Sequence, residues 1–383
     1  MPRYDLVDVN LLVDPNHRPY ITTNGTELHF HPDAITVGEL RGFSGTGDEV
    51  IYIGASTEST NIDLYAAHLT TGVVRRITSH PEYADPVDFS RDNKWFVAID
   101  TRGTDRQMWM SGMRGIPPLI DIIATVVASS TRNNGPRRFF RPILIDRYGD
   151  RDDYYGQQIN AGGDGSPGSI NDPNWNARAN PGWAPDSTKV AYWESLVVSP
   201  SCGGINPLPC PVSTAQGGRA YRVMLATFTD RKPTPVAPVF DVPDQIPWAV
   251  PFQPGSSFHS APRLQLGNYT LQGQVSGIAE VRLIGDTSIH RVAVNYTDYS
   301  DDGKHIINGW EDVEVEILLP DFWNNKIDWY SDIIQTGVVN ASKVTSPGGF
   351  HLIINAETNI FNANGTLVTT IDGVEYHQPA NGS

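Results

Sequence analysis

Short apolar segments alternate with tight polar turns along most of the chain, with the two-residue period of strands half-buried in sheets. Four segments repeat one phrase: residues 42–52 (GFSGTGDEVIY), 88–97 (DFSRDNKWFV), 182–192 (GWAPDSTKVAY) and 298–307 (DYSDDGKHII). Each passes from an aromatic residue and Ser or Ala, through a turn rich in Asp, Asn and Gly, into a second apolar strand. Those turn residues accept the left-handed backbone that a tight hairpin demands. Further strands are expected over 62–69 and 73–78 after the first hairpin, and over 222–228 and 234–239 after the third. Sustained helical periodicity is almost absent.

Repetition of a four-stranded unit is the mark of radial all-β architectures, and the phrase resembles the repeat of TolB-like propellers. The aromatic positions Phe43, Phe89, Trp183 and Tyr299 stand 46, 94 and 116 residues apart. Two of these intervals are near double length, so each is expected to hold a degenerate blade, one with a strand over 139–146 and one within 258–284. A last blade over 350–354 and 366–371, closed by an N-terminal strand over 4–12, completes a seven-bladed β-propeller, with six blades as the alternative. Residues 1–383 then form a single domain.

Composition narrows the partners. The 28 Lys and Arg against 43 Asp and Glu leave a formal charge of -15, which disfavours nucleic acid and anionic lipid. An anionic substrate would need a local basic pocket. The apolar run 116–128 is too short to cross a bilayer and is broken by prolines and Asp121. The start lacks the apolar core of a leader, so the expectation of secretion rests on six Asn-X-Ser/Thr sequons, at Asn24, Asn268, Asn295, Asn340, Asn364 and Asn381. Cys202 and Cys210, bracketing a Pro-rich loop, are expected to form a local disulfide in a secreted monomer.

In a ring of blades, the connectors that lead into the inner strands share one face. Those positions hold His29 and His31, His80 and Tyr83, Arg178 and Asn180, and His290 and Arg291. Arg141, His259 and His351 take comparable places in the degenerate blades. Imidazoles that titrate near neutral pH, beside arginines that fork onto a carboxylate, suit acid–base work on an anionic substrate. A single connector histidine more often braces the strands, and a metal centre is the rival use of several. No nucleophile elbow, phosphate loop or zinc spacing is present. Carboxylates such as Asp85, Asp152, Asp153, Asp164, Asp172 and Glu194 form no diagnostic pair.

The repeat, the sequons and the segment 76–86 (RITSHPEYADP) together resemble the fungal L-rhamnose-α-1,4-D-glucuronate lyases. That resemblance implies β-elimination at a terminal rhamnosyl-glucuronate of arabinogalactan or gum arabic. Arg141 would then neutralise the uronate carboxylate, and His80, with Tyr83 as substitute, would remove H5 and serve O4. His29, His31, Arg178, Asn180, His259, His290, Arg291 and His351 would bind substrate. The metal-ligand spacing of the galacturonate lyases is not found, so no catalytic cofactor is expected, although loop carboxylates could hold a structural calcium. A glucuronide hydrolase and a non-catalytic glycan-binding propeller are the alternatives.

Overall fold

The computed structural model describes residues 9–14, 16, 18–36, 38–131, 140–196, 212–253, 255, 263–321, 323–356 and 360–382. Three small antiparallel sheets come first. One orders Glu39–Phe43, Glu49–Ile53, Leu64–His68 and Val74–Arg76; the next orders Ala84–Phe89, Trp95–Asp100, Arg141–Asp146 and Gln157–Gln158. The third orders Trp175–Trp183, Lys189–Leu196 and Tyr221–Thr227. Their first strands lie side by side, that of the second sheet touching both others, as inner strands of successive blades would.

All four repeated phrases are hairpins, and one device closes them. The residue three beyond the repeat's Ser or Ala is left-handed in every copy: Gly47 (φ 78), Asn93 (φ 53), Ser187 (φ 60) and Gly303 (φ 69). In the last three copies an Asp one position earlier accepts backbone N–H groups, as Asp302 does from Lys304 at 2.7 Å. Successive turns are also stitched together. Asn93 accepts from the Gly45 N–H at 3.0 Å and donates to Thr46 at 2.9 Å, and Ser187 accepts from the Asp92 N–H at 3.2 Å. Asn93→Ala removes two buried hydrogen bonds and puts a β-carbon without compensation in left-handed backbone, so urea denaturation should show a loss of about 2–3 kcal/mol.

The remaining strands depart from the expected ring. The fourth hairpin and everything after it join a ten-stranded sheet running Ile21–Asn24, Glu27–Phe30, Gly267–Gln272, Ser276–Gly285, Ile289–Ser300, His305–Ile317, Asn324–Gly337, Ala341–Asn355, Asn362–Ile371 and Val374–His377. Only the contact between Glu27–Phe30 and Gly267–Gln272 is parallel. Seven separate blades are therefore not formed, and no ring closes among the described residues. The strand expected over 139–146 is the third strand of the second sheet. The segments 258–284, 350–354 and 366–371 contribute, where described, to the long sheet. Asn10–Leu12 pairs with Ala249–Pro251 instead of closing a last blade, and residues 234–239 form no strand. The physical reason is strand length: strands of 12–15 residues, such as Ile289–Ser300 and Ala341–Asn355, continue through their bulges and pair into one wide sheet rather than blades of five-residue strands.

One row across the long sheet, Leu283, Val292, Val313, Trp329 and Phe350, is buried. The helix Asp121–Thr131, unforeseen in the sequence, packs on that face together with Met108–Ser111 and the apolar residues Ile116, Leu119 and Ile120. Both helices lie between two strands of the second small sheet, so a single excursion joins the small sheets to the long one. Asp121 binds across that junction, accepting from the Thr60 N–H at 2.9 Å and from Ser56 at 3.0 Å, and burial lifts its carboxyl to about 6. No helix among the described residues is long and apolar enough to cross a membrane.

Candidate functional site

The segment leading into the second small sheet carries the residues of greatest chemical interest. It is pinned by its surroundings: Tyr83 N–H donates to Thr101 Oγ1 at 3.0 Å and to Gln107 Oε1 at 3.2 Å, while Ser111 donates to the Pro81 carbonyl. Asp150 accepts from the N–H groups of Ser79 (2.9 Å) and His80 (3.3 Å). Arg102 grips Asp150 at 2.9 Å and Asp100 at 2.6 Å in a buried triad. Gly149 (φ 80) sits so close that a β-carbon there would lie 2.2 Å from the Ile77 carbonyl oxygen. Arg114 ties the Ser79 carbonyl to Glu58, which also receives Arg76 at 3.0 Å.

On this frame the His80 ring meets Tyr155 edge-on at 5.2 Å, and its Nδ1 is buried without a hydrogen-bond partner. Burial, reinforced by the charge of Arg102, pushes its pKa down to about 3, so it is a neutral imidazole at any working pH. Glu82, whose N–H meets the His80 carbonyl at 2.7 Å, is 2% exposed. Its Oε1 accepts from Thr104 at 2.9 Å, while Oε2 is buried and unpartnered. Burial, with Asp100 and Asp105 nearby, raises this carboxyl to about 8, so it carries its proton at neutral pH.

Arg141 starts the third strand of the same sheet and pairs in register with Asp100, itself opposite Ala84. It makes no hydrogen bond or ion pair among the described residues, and its Nε is a third buried, unpartnered polar atom. Burial lowers its pKa, while the charges of Glu82 and Asp105 act the other way, which places both carboxyls in its electrostatic range. Left-handed Gly103 (φ 72) keeps space beside it, since a β-carbon there would lie 3.2 Å from Arg141 Nη1. Tyr83 donates to Asp85 at 2.8 Å, and Asp85 is held in turn by Arg41 from the first sheet.

The other expected residues divide. Arg178 follows Ala177, whose N–H donates to the Phe140 carbonyl at 3.2 Å, so it stands on the strand beside Arg141, bonded to Ser195 at 2.8 Å. Asn180 is further along and exposed. His29, 3.9 Å from Glu27, and His31, 2.9 Å from Thr22, occupy a separate small cavity with Tyr20 and Tyr299. Arg291 and His351 lie on the outer face of the long sheet, where Arg291, Glu314, Asp328, His351 and Asn364 form one cross-strand row, and His290 comes within 3.8 Å of Glu314. There Arg291 pairs with Asp312 at 2.6 Å and His351 with Asp328 at 2.5 Å, Asp328 raising the imidazole's pKa. A one-residue step along a strand changes the face, which is why these side chains oppose the core row and do not join His80. His259, Cys202 and Cys210 lie outside the described residues. No three His, Cys, Asp or Glu side chains converge on a metal position among the described residues.

Glu82 was not singled out in the sequence, although it stands between His80 and Tyr83. Nothing local separates it from the other carboxylates; its burial, with a hydrogen bond from Thr104, is a property of the fold.

No family model matches the chain, and no curated protein matches it. Among solved structures it is similar to an oligogalacturonate lyase in complex with manganese, at 9% identity and TM-score 0.27 over 85% of this chain and 76% of that one. It is also similar to the oligogalacturonate lyase of Vibrio parahaemolyticus, at 10% identity and TM-score 0.26 over 89% and 88%, and to the tricorn protease at TM-score 0.21, over 99% of this chain and 36% of the protease.

Proposed function

We propose that the chain is a lyase acting on a uronate-bearing glycan, and that its substrate is a terminal rhamnosyl-α-1,4-glucuronate. The observation that carries this reading is that Glu82 and Arg141, within electrostatic range of one another at one end of one sheet, and His80, two residues before Glu82 on the segment entering that sheet, each hold a buried, unpartnered polar atom: Glu82 Oε2, Arg141 Nε and His80 Nδ1. Buried polar groups are almost always satisfied, so such a cluster marks a place where a polar ligand completes the bonding.

Each residue has a role. Arg141, with Arg178 on the adjoining strand, receives the uronate carboxylate and spreads the charge that builds on it as C5 loses its proton. Neutral His80 takes H5; the C5–H pair becomes the C4=C5 bond, and the C4–O4 pair leaves on the rhamnose oxygen. Protonated Glu82 gives that oxygen its proton. In glucuronate H5 and O4 share a face, which suits a base and an acid two residues apart. Burial pushes the two pKa values apart, His80 down to about 3 and Glu82 up to about 8, so both are neutral between those values. The six sequon asparagines, all exposed, agree with a secretory protein.

Incubation with gum arabic should release rhamnose and generate an unsaturated uronate that absorbs in the ultraviolet. Rhamnose without that absorbance would overturn elimination and favour hydrolysis, for which Asp105, within electrostatic reach of both Glu82 and Arg141, is the second carboxylate. Arg141→Lys keeps the charge but loses the fork, and KM should rise roughly tenfold in steady-state assays.

A further inference from the structure

A groove of about 990 Å³ opens between the outer edges of the second and third small sheets. It lies at their hairpin ends, with Lys94 and Trp95 at the far end of the strand pair that starts beside His80. Six residues of extended chain put it about 20 Å from the candidate catalytic site.

Its central cation is unusual. The Arg231 guanidinium is sandwiched between Trp95 and Phe228, 4.3 Å from each ring centroid, with Trp183 5.8 Å away. It has no hydrogen bond or ion pair among the described residues, and Nη1 is buried without a partner. Burial lowers its pKa, although Asp230 and Asp92 act the other way. Asp92 is spent on the hairpin, accepting from Ser90 at 2.7 Å and from Thr234 at 3.2 Å. Lys94 and Lys232 stand exposed on the rim, and Gln157 offers an amide from the sheet edge. In a chain of net charge -15 the groove brings together three cations, Lys94, Arg231 and Lys232, against two carboxylates, Asp92 and Asp230. A half-buried, flat guanidinium held between aromatic rings, with no hydrogen bond of its own, is preorganised for a planar anion.

We propose that this groove is a second, non-catalytic binding site for acidic glycan, in which Arg231 receives a sugar carboxylate and the rim lysines and Gln157 take neighbouring polar groups. Such a site would hold a polymer on the enzyme while its ends are presented to the other site.

Affinity electrophoresis through gels containing gum arabic, or gum arabic with its carboxyls reduced to alcohols, tests it independently of any product formed. Retardation by the native gum should be on the order of tenfold weaker for Arg231→Gln and also reduced for the exposed double variant Lys94→Ala/Lys232→Ala, which leaves the aromatic stack intact. The reduced gum should retard none of them. Arg141→Ala should retain the retardation even where it abolishes turnover. Equal retardation of the wild type and both groove variants, equal retardation by the reduced gum, or loss confined to Arg141→Ala would each overturn the proposal.

Discussion

Glu82→Gln should abolish most activity while making the protein more stable at alkaline pH. The two effects share one cause. Burial holds the Glu82 carboxyl at about 8 against an ordinary 4.5, so the folded state keeps a proton that the unfolded chain has already released in between. Because the folded pKa is the higher one, the group's contribution is fully present below about 4.5 and is lost as pH rises through about 8. Glutamine keeps the acceptor for Thr104 and has no charge to bury, so at pH 9 it should stabilise on the order of 2–4 kcal/mol relative to wild type, read as a higher Tm. It also cannot supply a proton, and removal of a general acid costs about 100- to 10,000-fold in kcat. The wild-type rate should fall as pH rises through about 8, and that limb should vanish in the variant. A variant that melts lower at pH 9, or turns over normally, would refute the assignment of Glu82 as a buried acid.

Lys343→Met should be the most damaging single change in the long sheet. Lys343 and Glu311 are both fully buried and meet at 3.0 Å, with Tyr296 donating to Glu311 at 3.1 Å and the Trp329 ring centroid 5.1 Å from the ammonium. The pair meets as an ion contact rather than an aligned hydrogen bond, so little offsets the cost of desolvating either charge. Removing the lysine strands a carboxylate where no water reaches, and breaking such pairs costs about 3–5 kcal/mol. Chemical denaturation should show that loss. The double variant Lys343→Met/Glu311→Leu should recover most of it, since an apolar pair of similar volume is often as stable as the buried ions. Failure to recover would mean that packing against Trp329, not charge, holds the site. His80 takes no part in either effect. Its imidazole stays neutral throughout the accessible range, and its predicted usefulness as a base depends on the negative charge that a bound uronate brings.

What the sequence alone determines here is local. The four hairpins are legible because each is closed within itself by left-handed Gly47, Asn93, Ser187 and Gly303, a requirement met by residue types at fixed spacing. His80, Tyr83 and Arg141 could be singled out because connectors into inner strands meet at one end of a small sheet, and these residues do stand at one end of the second sheet, while His29 and His31, ahead of the first, lie in a separate cavity. Beyond residue 263 that expectation does not hold. Whether successive hairpins separate into blades or fuse into one sheet depends on how far each strand continues and on which neighbour it pairs with, and period-two alternation does not tell the two apart. The tertiary structure therefore decided that Arg291 and His351 face solvent in a charged row, and that the 108–131 excursion covers the long sheet. It alone could show Glu82 as an acid, because a carboxyl's protonation is set by what excludes water from it, and here the carboxyl is buried against Thr104 with Asp100 and Asp105 nearby.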